Sequence, residues 1–171
     1  MAKHFNISGE LTQELLAAGD NVNVSKISLT NIQKVSKCKV DLYIEQALNG
    51  KFYLLKGVEL PIGATLIYDD IGFNNSVNQF GLYIKLTDGA TFTLTGSIDV
   101  TGTNTNVPGT STLYTSELSV GDEIVVSGET RVISSITGDT TAVVSAAWGS
   151  DLANDASPDC NPTALVDVII N

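Results

Sequence analysis

The chain has 171 residues, 43% of them apolar and 16% charged, with nineteen carboxylates against nine lysines and arginines and a net charge of −10. A chain of this size buries about 68–70% of its unfolded surface without help from disulfides or metal, and no stretch reaches the ~20 apolar residues that span a bilayer. The charge is lopsided: residues 86–171 hold eleven carboxylates against Arg131 alone, whereas residues 1–85 balance eight against eight. Such a field repels nucleic acid and anionic membrane and excludes both as partners.

The opening MAKHFNISGELTQ has no apolar segment of signal-peptide type, so secretion is not expected. In residues 10–18, Leu11, Leu15 and Ala18 have helical spacing, but nine residues are marginal for a lone helix and the segment reads as an extended or singly turned arm. From there period-2 alternation dominates, the mark of half-buried antiparallel strands. Strands are expected over residues 22–30 and over 37–45, where Cys38, Val40, Leu42 and Ile44 face inward and Lys37, Lys39, Asp41, Tyr43 and Glu45 outward. Asn49-Gly50 carries the type I′ hairpin signal and returns the chain through 52–55. Strands follow over 65–68, 80–86 and 91–100, with Asp69-Asp70 read as a turn after Tyr68 and Asp88-Gly89 joining the last two strands.

Residues 101–108 are Thr, Gly, Asn and Pro in composition and read as a linker into a second unit. That unit is expected to be four strands (113–117, 123–127, 130–137 and 141–146) around a thin core of Leu118, Val120, Ile124, Val126, Val132, Ile136, Val143 and Trp148. A second linker covers 149–162. The closing run of 164–171 is too apolar for water and is expected to pair back into the first unit or to lie at an oligomer interface. The predicted fold is therefore an all-β antiparallel sandwich, jelly-roll or Ig-like, built from 1–100 plus 163–171. It carries an inserted acidic β-barrel or meander over 109–148.

Chemistry is sparse. His4 is the one histidine, and no nucleotide-binding, nucleophile-elbow or zinc-protease pattern occurs, so neither enzyme activity nor a cofactor is expected. Cys38 reads as a buried apolar residue, and Cys160 as exposed or at a junction. Asp151, Asp155 and Asp159 miss the calcium-loop spacing and read as a solvated connection, so no metal is expected. Lys34, Lys37 and Lys39 form the one basic cluster, placed to meet an acidic neighbour head to tail. Together with Leu165, Val166, Val168, Ile169 and Ile170 of the closing strand, they are the candidate interaction residues. A sugar-binding cleft would draw on Tyr53, Tyr68, Phe73 and Tyr83.

Two stretches resemble virion proteins of tailed bacteriophages, particularly those of T4-like cyanophages. The first lies within residues 24–87, with SKISLTNIQKVSKCKVDLYIE, KFYLLKGVELPIGATLIYDD and FGLYIKL; the second is GTSTLYTSELSVGDEIVVSGETRVISSITGDTTAVVSAAW over 109–148. The resemblance implies a non-enzymatic virion component, a neck or tail accessory or a capsid decoration protein, made in the host cytoplasm. The expected partners are other virion subunits, met through sheet edges and terminal segments, and, from the charge split, further copies of the chain itself. The alternatives are a tail-fibre module that binds a host-surface glycan and, third, a carboxylate-based glycan hydrolase.

Overall fold

The computed structural model describes residues 2–46, 50–76 and 80–171. Its elements in chain order begin with β1 (Lys3–Ser8), β2 (Gln13–Leu16), β3 (Asn23–Asn31), β4 (Cys38–Gln46), β5 (Gly50–Leu60), β6 (Thr65–Asn74) and β7 (Gly81–Thr87). They continue with β8 (Phe92–Thr93), β9 (Ser97–Val100), β10 (Asn106–Thr110), the short helix α1 (Tyr114–Glu117), β11 (Glu123–Val126), β12 (Glu129–Gly138), β13 (Thr141–Val144), β14 (Leu152–Asp155), β15 (Asp159–Asn161) and β16 (Leu165–Ile170). The fold is all-β and antiparallel, as the alternation predicts. No helix among the described residues is long and apolar enough to cross a membrane.

The chain divides into two compact units, Met1–Gln33 with Lys37–Asp88 and Ala164–Asn171, and Lys34–Ser36 with Gly89–Thr163. The first is a sandwich of two four-stranded sheets, ordered β1-β16-β3-β6 and β2-β7-β4-β5. Its core alternates along each strand: Val24, Ile27 and Leu29 from β3, Val40 and Leu42 from β4, Leu82, Ile84 and Leu86 from β7, and Val166, Val168 and Ile170 from β16, all buried. The closing run pairs with β1 on one side and β3 on the other, which makes it an interior strand.

The boundary expected near residue 100 lies instead at Asp88. β8 pairs with β15, and β9 pairs with β10 and β14, so residues 92–100 belong to the second unit. Leu94, Ile98 and Val100 do point inward, but into that unit's core. Both expected linkers contain strands, β10 in the first and β14 and β15 in the second, which complete one eight-stranded sheet ordered β14-β9-β10-β13-β12-β11-β15-β8. A core of four short strands would be thin, and the added strands bring Val107 and Cys160 into it.

Several local readings change for identifiable reasons. Tyr114–Glu117 form α1 in place of the strand expected over 113–117. The amides of Ser116 and Glu117 turn back to the Leu113 carbonyl, and Asp139 accepts both the backbone amide and the hydroxyl of Thr115. The β12–β13 pairing shifts register between Ile133 and Ser135 and between Ile136 and Gly138. Ile133, Ala142 and Val144 are buried, while Val120 and Val132 are exposed and Ile136 and Val143 only half-buried. Cys160 is fully buried in β15. In the sandwich, residues 13–16 form β2, and Asp69-Asp70 lies inside β6. There residues 70–72 oppose Ser25 alone, and the bulge rests on positive φ at Asp70 (55°) and Gly72 (59°). Asn49 of the expected hairpin lies outside the described residues; Gly50 opens β5 at φ 79°.

Candidate interaction surfaces

The outer face of the β2-β7-β4-β5 sheet carries a row that crosses all four strands, Glu14–Tyr83–Tyr43–Tyr53, each residue directly opposite the next. The Tyr43 and Tyr83 rings stack at 5.7 Å between centroids, and Tyr43 meets Tyr53 at 5.4 Å. Tyr83 hydrogen-bonds the Glu14 carboxylate at 2.9 Å, which with burial raises its phenol pKa above the ordinary value. Its ring lies across Gly81, where a β-carbon would stand 2.8 Å from the ring edge. Only glycine permits that approach.

Lysines cover these rings. The Lys51 ammonium sits 4.4 Å from the Tyr43 centroid and donates to its hydroxyl at 3.2 Å; the Lys56 ammonium sits 4.2 Å from the Tyr53 centroid. Hydrogen bonds to Tyr43 and Asp41 respectively raise the pKa of the two amines. Desolvation opposes ionisation of Asp41, but the Lys56 hydrogen bond and the Gly57 amide at 2.7 Å outweigh it and hold the carboxyl below its usual range. The rings, lysines and carboxylates of this face thus partner one another in a self-covered ladder. Tyr43, assigned to the solvent side, is only 1% exposed, whereas Tyr53 is 45% exposed. Tyr68 and Phe73 do not join the row, because both pack against the sandwich core from β6.

The expected interaction residues scatter. Val166, Val168 and Ile170 are buried in the core and offer nothing to a partner. Leu165 is half-buried, and Ile169, opposite His4 on the outer face, is 37% exposed. Lys37 pairs with Glu59 at 2.9 Å, Lys39 projects from β4 opposite that same Glu59, and Lys34 belongs to the second unit and donates to the Thr115 carbonyl. Lys37 and Lys39 thus both meet Glu59 on the sandwich, and Lys34 is held within the second unit. The sandwich itself carries ten carboxylates against seven lysines.

In the second unit the acids are bound locally. Asp151 accepts the Gly102 amide at 2.7 Å, Asp155 those of Ser127 and Ser157, Glu117 the amide and hydroxyl of Thr95, and Glu129 the Gly149 amide together with Arg131. Buried Asp122 accepts the amides of Ser119 (2.7 Å) and Thr163 (2.9 Å). No group of three or more His, Cys, Asp or Glu among the described residues is placed to hold a metal ion. Both cysteines are buried free thiols. Desolvation, with Asp88 nearby, pushes Cys38 up to about 11, and desolvation, with Asp122 and Glu117 nearby, raises Cys160 further.

Main-chain groups offer more than side chains do. Of the sandwich's edge strands, β5, β6 and β2 each show register shifts in their pairing. Edge β1 pairs with β16 over all six residues without interruption. The Gly9 amide donates to the Ala164 carbonyl, so the odd-numbered residues of β1 direct their main-chain groups toward β16 and the even-numbered His4, Asn6 and Ser8 direct theirs to the open side. Gln13 caps the Ser8 carbonyl at 3.2 Å. Sequence reasoning missed this edge because it assigned residues 1–9 no strand, although Phe5 and Ile7 alternate with His4, Asn6 and Ser8.

No family model matches the chain, and no curated protein matches it. Among solved structures it is aligned with a chain from the crystal structure of the T13 IBDV viral particle at 7% identity and a TM-score of 0.16. The alignment covers 99% of this chain and spans 38% of that one. A likeness at that score carries no argument about fold or function.

Proposed function

We propose that this chain is a non-enzymatic structural protein of a tailed-phage particle, which binds neighbouring subunits by main-chain pairing at a sheet edge. The observation that carries this reading is the uninterrupted β1 edge, with the hydrogen-bonding groups of His4, Asn6 and Ser8 directed outward. Unpaired strand edges are templates for another strand, and folded proteins usually blunt them with bulges, charges or brevity. Here the pairings of β5, β6 and β2 are broken by register shifts and that of β1 is not. The carboxylates support the same reading, since they hold backbone amides and lysines within each unit. The phage setting rests on the resemblance of residues 24–87 and 109–148 to tailed-phage virion proteins.

The glycan-binding alternative needs bare aromatic faces for a sugar to stack on. Tyr53 is the most open ring of the row, and Lys56 lies over it. Co-sedimentation of the purified chain with capsid and tail fractions of the phage that carries its gene tests the proposal, with a glycan array run alongside. Saturable association with one fraction and a blank array are expected. Absence of association with either fraction, or selective glycan binding, would overturn it.

A further inference from the structure

From the parity of β1 we infer that its partner is the β1 strand of a second copy of this chain, joined across a two-fold axis at Asn6. The inference deepens the assembly reading above by naming the partner at that edge, and its closing experiment separates the two. In an antiparallel pair, opposite residues share a face and hydrogen-bonded pairs alternate with unbonded ones. The main-chain groups directed to the open side belong to His4, Asn6 and Ser8, with the Ser8 carbonyl held by Gln13 in the single chain, so these residues pair among themselves. A two-fold axis at Asn6 does this with residues of β1 alone. Asn6 lies opposite the second copy's Asn6 and His4 opposite its Ser8, giving about six main-chain hydrogen bonds.

The side chains agree with that register. Ile7 is buried and Phe5 half-buried on the inner face, and the two-fold axis sets Phe5 of each copy opposite Ile7 of the other. An aromatic residue beside a β-branched one is a favourable cross-strand pair. The apolar layer of the β1-β16-β3-β6 sheet would then run unbroken into the second copy's sheet. A two-fold axis at Phe5 instead places Lys3 opposite Ile7 and calls on Ala2, which lies outside β1. On the outer face His4, Asn6 and Ser8 are small or polar and exposed, and Asn6 is tied to Asp167 at 2.8 Å. The Gln13 amide releases the Ser8 carbonyl when the second strand arrives.

A single pair of six-residue strands buries less than the ~1,200 Å² of a standard stable interface. The dimer therefore forms at high protein concentration, or on a particle that holds copies close together.

The test uses the full chain. With cysteine at position 6, the two thiol-bearing residues face each other with Cα atoms about 5.5 Å apart. With cysteine at position 4, they stand about 14 Å apart along the strands. A short bis-methanethiosulfonate, which forms a disulfide with each thiol and releases methanesulfinate, should bridge Asn6→Cys into a species of twice 18.0 kDa and leave His4→Cys unbridged, with Cys38 and Cys160 buried in both. In sedimentation at concentrations approaching millimolar, the unmodified chain and Asn6→Ala should dimerise. Asn6→Pro should stay monomeric, since proline removes an amide that bonds nothing within one copy. The bridging experiment does not depend on whether the proline variant folds.

Failure of Asn6→Cys to bridge, or equal bridging of His4→Cys, would overturn the pairing. A bridged dimer that sediments with no particle fraction would sink the assembly reading and leave the pairing standing. A monomer that still binds particles would do the reverse.

Discussion

The two units are both antiparallel β, yet they manage charge in different ways. In the sandwich, carboxylates meet lysines: Asp20 with Lys3, Glu59 with Lys37, Glu45 with Lys51 and Asp41 with Lys56. In the second unit nine carboxylates face Lys34 and Arg131, and acids there instead hold backbone amides at turns and bulges. A carboxylate that accepts an amide proton organises the chain without a cation, because an ionised acceptor strengthens the hydrogen bond. The acidity of the second half is thus a way of fixing loops in a sheet of short, irregular strands.

The largest test of this contrast is in the sandwich. Val168 lies fully buried on β16 between β1 and β3, and Val168→Asp places an unpaired carboxylate there. We expect a loss of more than about 4 kcal/mol, enough to unfold the sandwich. Trp148, the one tryptophan, is buried in the second unit's core and reports on that unit separately. Its fluorescence transition in denaturant should stay in place while the far-UV circular dichroism of the sandwich is lost; a joint collapse would break the comparison.

Next in size is Asp122→Ala, which leaves the amides of Ser119 and Thr163 without their acceptor. A loss of about 3 kcal/mol in the Trp148 transition is expected, from two charge-assisted hydrogen bonds at a buried position. If the variant loses less than about 1 kcal/mol, the amide-holding role assigned to these acids is wrong.

The smallest effects concern salt and acid. The sandwich's ion pairs are exposed and each contributes about 0–1 kcal/mol, so added salt should weaken that unit slightly. The same salt should strengthen the second unit by screening its self-repulsion. Opposite signs for the two transitions sharpen the comparison. The Asp41 carboxyl is held below its ordinary value of 3.8, so its contribution is complete above that pH and fades as pH falls through the lower, folded-state value. Asp41→Asn should remove this small acid-side slope from the sandwich and leave the second unit's titration alone.

Much of the sandwich was legible because its strands obey one rule, alternation. Val40 and Leu42, then Leu82, Ile84 and Leu86, are buried where period-2 reading puts them. The reading failed in the shorter, less regular strands, where Ile133, Ala142 and Val144 are buried in place of Val132 and Val143, and at Tyr43, which keeps its outward parity but is covered by Lys51, Tyr53 and Tyr83. The candidate site was less legible. The lysines and the apolar tail carried a visible composition signal and proved to be dispersed or buried, whereas the β1 edge depends on main-chain direction, which no side chain encodes.

From its residues alone the protein declared an all-β antiparallel character, the inward sets of its regular strands, an acidic second half and an apolar tail that must be hidden. These follow from local propensity and from the cost of leaving Val, Ile and Leu in water. Tertiary structure decided which unit claims residues 92–100, which acids hold which amides, and which strand is left at the edge of its sheet. Those outcomes depend on hydrogen-bond partners far apart in the chain, Ile7 with Val166 or Asp122 with Thr163. A pairing of that kind is settled only when the whole sheet closes.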